Sequence, residues 1–88
     1  GVALEDNVRI GPGAAILTVN HDFHDTQVLL CKPVRIRKSA WIGARSIIMP
    51  GVTVGEGSVI GSGAIVTHDV PDHVVAAGSP ARILKHLA

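Results

Sequence analysis

The sequence predicts an all-β chain wound as a parallel β-helix, and three observations predict it. Aliphatic residues recur every sixth position, nine of them in register: Leu4, Ile10, Ile16, Ile36, Ile42, Ile48, Val54, Ile60 and Val66. Four residues after each stands a second column of modest size: Val8, Ala14, Asn20, Ala40, Ser46, Val52, Ser58, Ala64 and Val70. Between the columns sit turn pairs, Asp6-Asn7, Pro12-Gly13, Pro50-Gly51, Glu56-Gly57 and Ser62-Gly63. Such pairs supply Gly or Asn where a turn needs positive φ. A period of six with one turn per repeat fits neither a helix nor a long strand. It fits short flat strands separated by corners, with equivalent residues stacked about 4.8 Å apart.

The composition agrees with a narrow interior. Hydrophobic residues make up 47% of the 88, but aromatics only 2%, Phe23 and Trp41. Large rings do not fit inside so thin a coil, whereas Val, Ile, Leu and Ala do. Charged residues are 17%, below the roughly 25% of an average domain. A net charge of +1 gives no reason to expect a nucleic-acid partner, and no apolar run approaches the ~20 residues of a membrane span. The lone Cys31 has no partner within the chain and reads as a reduced, cytoplasmic thiol.

Taken in order, residues 1–71 are the coil. The turns at Thr18-Val19, Lys38-Ser39, Ala44-Arg45 and His68-Asp69 are less regular than the others. Ile16 and Ile36 are twenty residues apart, which is no multiple of six, so a loop leaves the coil over about 21–34. Loops held by rigid scaffolds often carry function, and this one opens with His21, Asp22, His24 and Asp25. Residues 72–88 change character. Val74–Ala77 reads as a strand ended by Gly78. Ser79 as N-cap and Pro80 at the first position predict a capping helix over Ala81–Leu87.

The repeats, the loop opening NHDFH, the run KPVRIRKSAWIGARSIIMPGVTVGEGSVIGSGAIVTHDVP and the close VVAAGSPARILK resemble the hexapeptide-repeat acyltransferases. The likeness is greatest to the maltose, galactoside, nodulation and polysaccharide-precursor O-acetyltransferases. It implies a left-handed β-helix, a homotrimer, clefts between subunits as active sites, acetyl-CoA as co-substrate, a sugar-like acceptor and no metal. The likeness covers only the C-terminal half of the usual member, whose N-terminal part is expected to be lacking here.

Acetyl transfer to a hydroxyl requires a base, because an alcohol is a weak nucleophile at neutral pH, and His suits the task. The resemblance places the base at His21, with His24 as second choice, and either Asp22 or Asp25 is a candidate to orient the imidazole. By the same resemblance, Trp41, Gly43, Ala44, Ser62, Thr67, His68 and Arg82 match positions that bind the acyl donor. Ala44 and Ser62 would act through backbone, and Arg82, with Lys85, would meet phosphate. His68 stands where relatives often carry Lys or Arg. Two other functions share the architecture: a trimerising coil without activity, and a γ-class carbonic anhydrase with three His on zinc. For the latter, His68, His73 and His86 lie far from His21 and His24.

Overall fold

A computed structural model describes residues 1–22 and 24–87; Phe23, within the expected loop, and Ala88 lie outside the described residues. The first coil holds β1 (Val2–Leu4), β2 (Arg9–Ile10) and β3 (Ala15–Ile16). Next come β4 (Val19–His21) and β5 (Leu29–Cys31). The second coil is β6 (Val34–Ile36), β7 (Trp41–Ile42) and β8 (Ile47–Ile48). The third is β9 (Thr53–Val54), β10 (Val59–Ile60) and β11 (Ile65–Val66). The chain closes with β12 (Val74–Gly78) and β13 (Ala81–His86).

The coils stack into three parallel sheets, ordered β1-β6-β9, β2-β7-β10-β12 and β3-β8-β11. Their register is the repeat itself. Leu4 pairs with Ile36 and Ile36 with Val54; Ile10 with Ile42 and Ile42 with Ile60; Ile16 with Ile48 and Ile48 with Val66. From Ile36 onward every member of this column is at most 1% exposed and forms the core. In the first coil Leu4 and Ile10 remain 52% and 42% exposed. The molecule is elongated, 44 × 25 × 22 Å.

The turns bear out the pairs read from sequence: Asn7, Gly13, Gly51, Gly57 and Gly63 all have positive φ. Ser39 and Arg45 share that conformation at φ 60° and 57°, so two of the less regular turns are built like the rest. In the second and third coils the left-handed residues at these corners are anchored to the coil before. Ser39 N–H donates to Asp6 O (2.9 Å), Arg45 N–H to Pro12 O (3.0 Å) and Gly63 N–H to Ala44 O (2.8 Å).

The second column is buried from Ala40 to Val70. Its two serines are satisfied there, as buried hydroxyls must be. Ser46 Oγ donates to Gly43 O (2.6 Å), and Ser58 Oγ donates to Pro71 O (2.5 Å) while accepting from Val74 N–H (3.1 Å). Asn20 departs from this expectation. It belongs to β4, not to a corner, because the coil has already been left.

The excursion is a β-hairpin. β4 and β5 pair antiparallel, Val19 with Cys31, Asn20 with Leu30 and His21 with Leu29. Its base is closed by Lys32 N–H on Thr18 O, at 2.7 Å.

The expected C-terminal helix is not formed. Ala81–His86 is strand β13, antiparallel to β12, with Ala77 opposite Arg82 and Gly78 opposite Ala81. Ser79 and Pro80 turn the chain back after Gly78, whose φ is 96°. The reason lies outside the segment. β12 is the last coil strand of its sheet, and its outer edge offers unpaired N–H and C=O groups. Pairing them outweighs the local helix signal, which is a weak preference.

Candidate functional site

His21 ends β4, at the mouth of the hairpin, with its side chain exposed. Its Nδ1 lies 2.7 Å from the Thr26 carbonyl oxygen. A carbonyl only accepts, so Nδ1 carries a proton, and in the neutral ring the lone pair is on Nε2. The loop is shaped to hold that carbonyl. Asp22 Oδ1 accepts from His24 N–H (2.7 Å), Asp25 Oδ1 from Gln27 N–H (3.0 Å), and Val28 O from Asp22 N–H (2.9 Å). Both aspartates thus build local turns, the usual work of Asp in such loops. Neither accepts from the His21 ring among the described residues; a backbone carbonyl holds it. A main-chain atom has no side-chain signature, so sequence reasoning had no means of finding Thr26. His24 is exposed, and a shallow depression beside His21 is lined by Asn20, Asp22 and Thr26.

A second feature runs along one corner of the stack. Gly11, Gly43 and Gly61 follow the paired residues Ile10, Ile42 and Ile60, and Ala77 follows Ala76, which pairs with Ile60. These positions form a ladder across the coils, and Arg82, opposite Ala77 on β13, continues it. The glycines are required by close approach. A Cβ on Gly43 would stand 2.5 Å from Ile60 O and 2.6 Å from Ser62 N; one on Gly11 would stand 2.6 Å from Ala44 N. Their N–H groups are engaged between coils, Gly11 to Ile42 O (2.7 Å), Gly43 to Ile60 O (2.8 Å) and Gly61 to Ala76 O (2.9 Å). Above this floor a groove is lined by Pro12, Trp41, Ala44, Val59 and Ser62. The N–H groups of Ala44 and Ser62 donate to no acceptor among the described residues.

The predicted donor-binding residues therefore divide. Trp41, Gly43, Ala44 and Ser62 share the groove, and Arg82 sits at the end of its ladder. Thr67 and His68 lie elsewhere, on the turn after β11, with Thr67 Oγ1 3.0 Å from His68 Nδ1. His21 lines its own depression, apart from the groove residues. Arg45, not predicted as a site residue from sequence, lines an adjoining depression with Pro12, Gly13, Ala44, Ser62 and Gly63. Among the described residues no three His, Cys, Asp or Glu side chains gather as a metal site would require.

Charges concentrate on a different corner. Arg35 donates to Glu5 Oε2 (2.8 Å from Nε), Lys38 lies 3.4 Å from Glu56, and Arg37 lies 3.5 Å from Asp72. The Arg35 guanidinium holds the Glu5 carboxyl below its ordinary 4.5, and the Lys38 N–H on the same carboxylate adds to this.

The family model for bacterial transferase hexapeptide (six repeats) matches residues 33–68. The chain is 40% identical over 90 residues to galactoside O-acetyltransferase of Escherichia coli, covering 98% of the chain and 44% of that protein. It is 38% identical to galactoside O-acetyltransferase of Lactococcus lactis, covering 93% and 42%. The chain belongs to the hexapeptide-repeat family. Its fold is the left-handed parallel β-helix. A hexapeptide-repeat acetyltransferase of Vibrio cholerae, complexed with acetyl coenzyme A, superposes with a TM-score of 0.94 at 37% identity, covering 99% of this chain and 50% of that one. A galactoside acetyltransferase in complex with coenzyme A gives 0.92 at 39% identity, covering 99% and 46%. The chain spans less than half the length of these curated relatives.

Proposed function

We propose that this chain serves a CoA-dependent O-acetyltransferase, moving an acetyl group from acetyl-CoA to a hydroxyl of a sugar-like acceptor, with His21 as general base. The observation that carries the reading is the His21 Nδ1 to Thr26 O hydrogen bond of 2.7 Å, which leaves Nε2 free to take a proton. Bound acetyl-CoA would supply a thioester carbonyl as the acetyl source. The groove along the glycine ladder fits its extended arm: the Ala44 and Ser62 N–H groups that line it are free to donate to amide or acyl oxygens. Arg82, exposed at the ladder's end, and Lys85 on the same strand are suited to phosphate.

His21 Nε2 removes the acceptor's hydroxyl proton as the oxygen attacks the acyl carbon. A C–O bond forms, the C–S bond breaks, and the proton passes from Nε2 to the departing thiolate. The Thr26 carbonyl stabilises the imidazolium in between by keeping its hydrogen bond to Nδ1–H. Since His21 lines a depression separate from the groove within one chain, we place the working site between subunits of a homotrimer, one hairpin facing a neighbour's groove. The exposed apolar residues Val28, Leu29, Ile83 and Leu84 support such an assembly. No helix among the described residues is long and apolar enough to cross a membrane, a statement silent on β-barrels. A cytoplasmic location is the reading favoured by the exposed free thiol of Cys31.

The test is release of free thiol from acetyl-CoA across a panel of sugars and simple alcohols. Acceptor-dependent release by the wild type, lost in His21→Ala and kept in His24→Ala, is expected. Activity kept in both variants, or lost only in His24→Ala, overturns the assignment of the base.

A further inference from the structure

Trp41 is 52% exposed on the outer face of its sheet, between Arg9 of the coil before and Val59 of the coil after. Beside it lies a depression lined by Asn7, Val8, Arg9, Ser39, Trp41 and Val59. Its three polar side chains are exposed, and among the described residues none is hydrogen-bonded or ion-paired within the chain, although Arg35, Arg37 and Lys38 nearby all have carboxylate partners. The fold does not demand these groups. Asn7 and Ser39 hold left-handed turn positions that Gly57 fills at the same corner one coil on. Trp41 and Val59 also line the glycine-floored groove, so the depression opens onto it.

We propose that this depression is a subsite for a pyranose ring bearing an acidic group, a carboxylate or a phosphate. This names the acceptor class of the reaction proposed above and rests on that reading. The indole face is electron-rich and apolar, and it matches the C–H face of a sugar ring. The Asn7 amide donates and accepts, and the Ser39 hydroxyl does the same, so both suit ring hydroxyls. The Arg9 guanidinium, lacking a carboxylate of its own, offers a planar fork to an acid group. A ring held there lies next to the groove, where its hydroxyl can meet the acyl donor.

Trp41 is the one tryptophan and there is no tyrosine, so its emission reports this subsite directly. The chain is titrated, without CoA, with galacturonate, galactose 6-phosphate, galactose and inorganic phosphate. A saturable emission change is expected with one or both acidic sugars, the two arms separating carboxylate from phosphate. Galactose should need roughly tenfold more for the same response, and phosphate alone should give none. Arg9→Gln should bring the acidic sugars to the level of galactose while calorimetric binding of acetyl-CoA is unchanged. No saturable response to either acidic sugar overturns the proposal. So does a response equal for galactose, a response unaltered in Arg9→Gln, or blue emission shielded from acrylamide because a second copy covers Trp41. Acetyl-CoA binding without a sugar response removes the subsite alone. A sugar response without acceptor-dependent thiol release removes the acetyltransferase reading and leaves the subsite standing.

Discussion

The imidazole of His21 is held by one backbone oxygen, and the residue scale is where chemistry and fold are most easily separated. His21→Ala removes the proposed base but no coil contact, so acetyl transfer should fall by about 10²–10⁴-fold with an unchanged thermal midpoint. Gly43 is the opposite case. An added Cβ would meet Ile60 O at 2.5 Å, so Gly43→Ala should destabilise by about 1–3 kcal/mol in urea unfolding. Arg45 tests the turns: its φ of 57° disfavours a side chain, and Arg45→Gly should stabilise by about 1 kcal/mol. Much of this scale was hidden in the sequence. Gly43 was legible as part of a repeat, but that its hydrogen atom faces a neighbouring carbonyl is a property of stacking. His21 stood out only through the family's motif, since a loop histidine by itself is ordinary. The aspartates drew attention as acids and turned out to shape the backbone.

Among the elements, the coils were legible because period-six patterning and turn chemistry point the same way at every repeat. The terminal strand was not, because β13 answers to the open edge of β12 rather than to its own residues. The hairpin shows both sides. Its presence was legible in the twenty-residue gap from Ile16 to Ile36, but its pairing was not. That gap is fourteen residues more than one repeat, and Thr18–Cys31 contains fourteen. Lys32 N–H meets Thr18 O at 2.7 Å, so the two ends already adjoin. Deleting Thr18–Cys31 should therefore give a chain with the same far-ultraviolet circular dichroism minimum and no acetyl transfer; an unfolded product would show that the hairpin supports the coil. The Arg35–Glu5 pair ties β6 to β1 and has a definite pH dependence. Glu5 is held below 4.5, so the pair's contribution is complete above that value and is lost as pH falls through the lowered one. Thermal midpoints measured from neutral to acid pH should drop less steeply in Arg35→Gln.

At the scale of the whole molecule, a solenoid gains stability from neighbouring coils rather than from a central core. The first coil leaves Leu4 and Ile10 half exposed, and the hairpin and β13 add Leu29 and Leu84 to the apolar surface. A trimer would cover part of it, and sedimentation equilibrium should give three times the 9.1 kDa of one chain. A monomeric mass would remove the shared cleft. The ladder of Gly11, Gly43, Gly61 and Ala77 has one consequence of its own. The chain runs around the stack, but the ladder runs along its axis, taking one residue from each coil. Distance along it is counted in coils, about 4.8 Å apiece, so three steps from Gly11 to Ala77 mark off about 14 Å. The fold thus works as a ruler whose graduations are repeats, and one coil more or fewer would gauge a ligand of a different length.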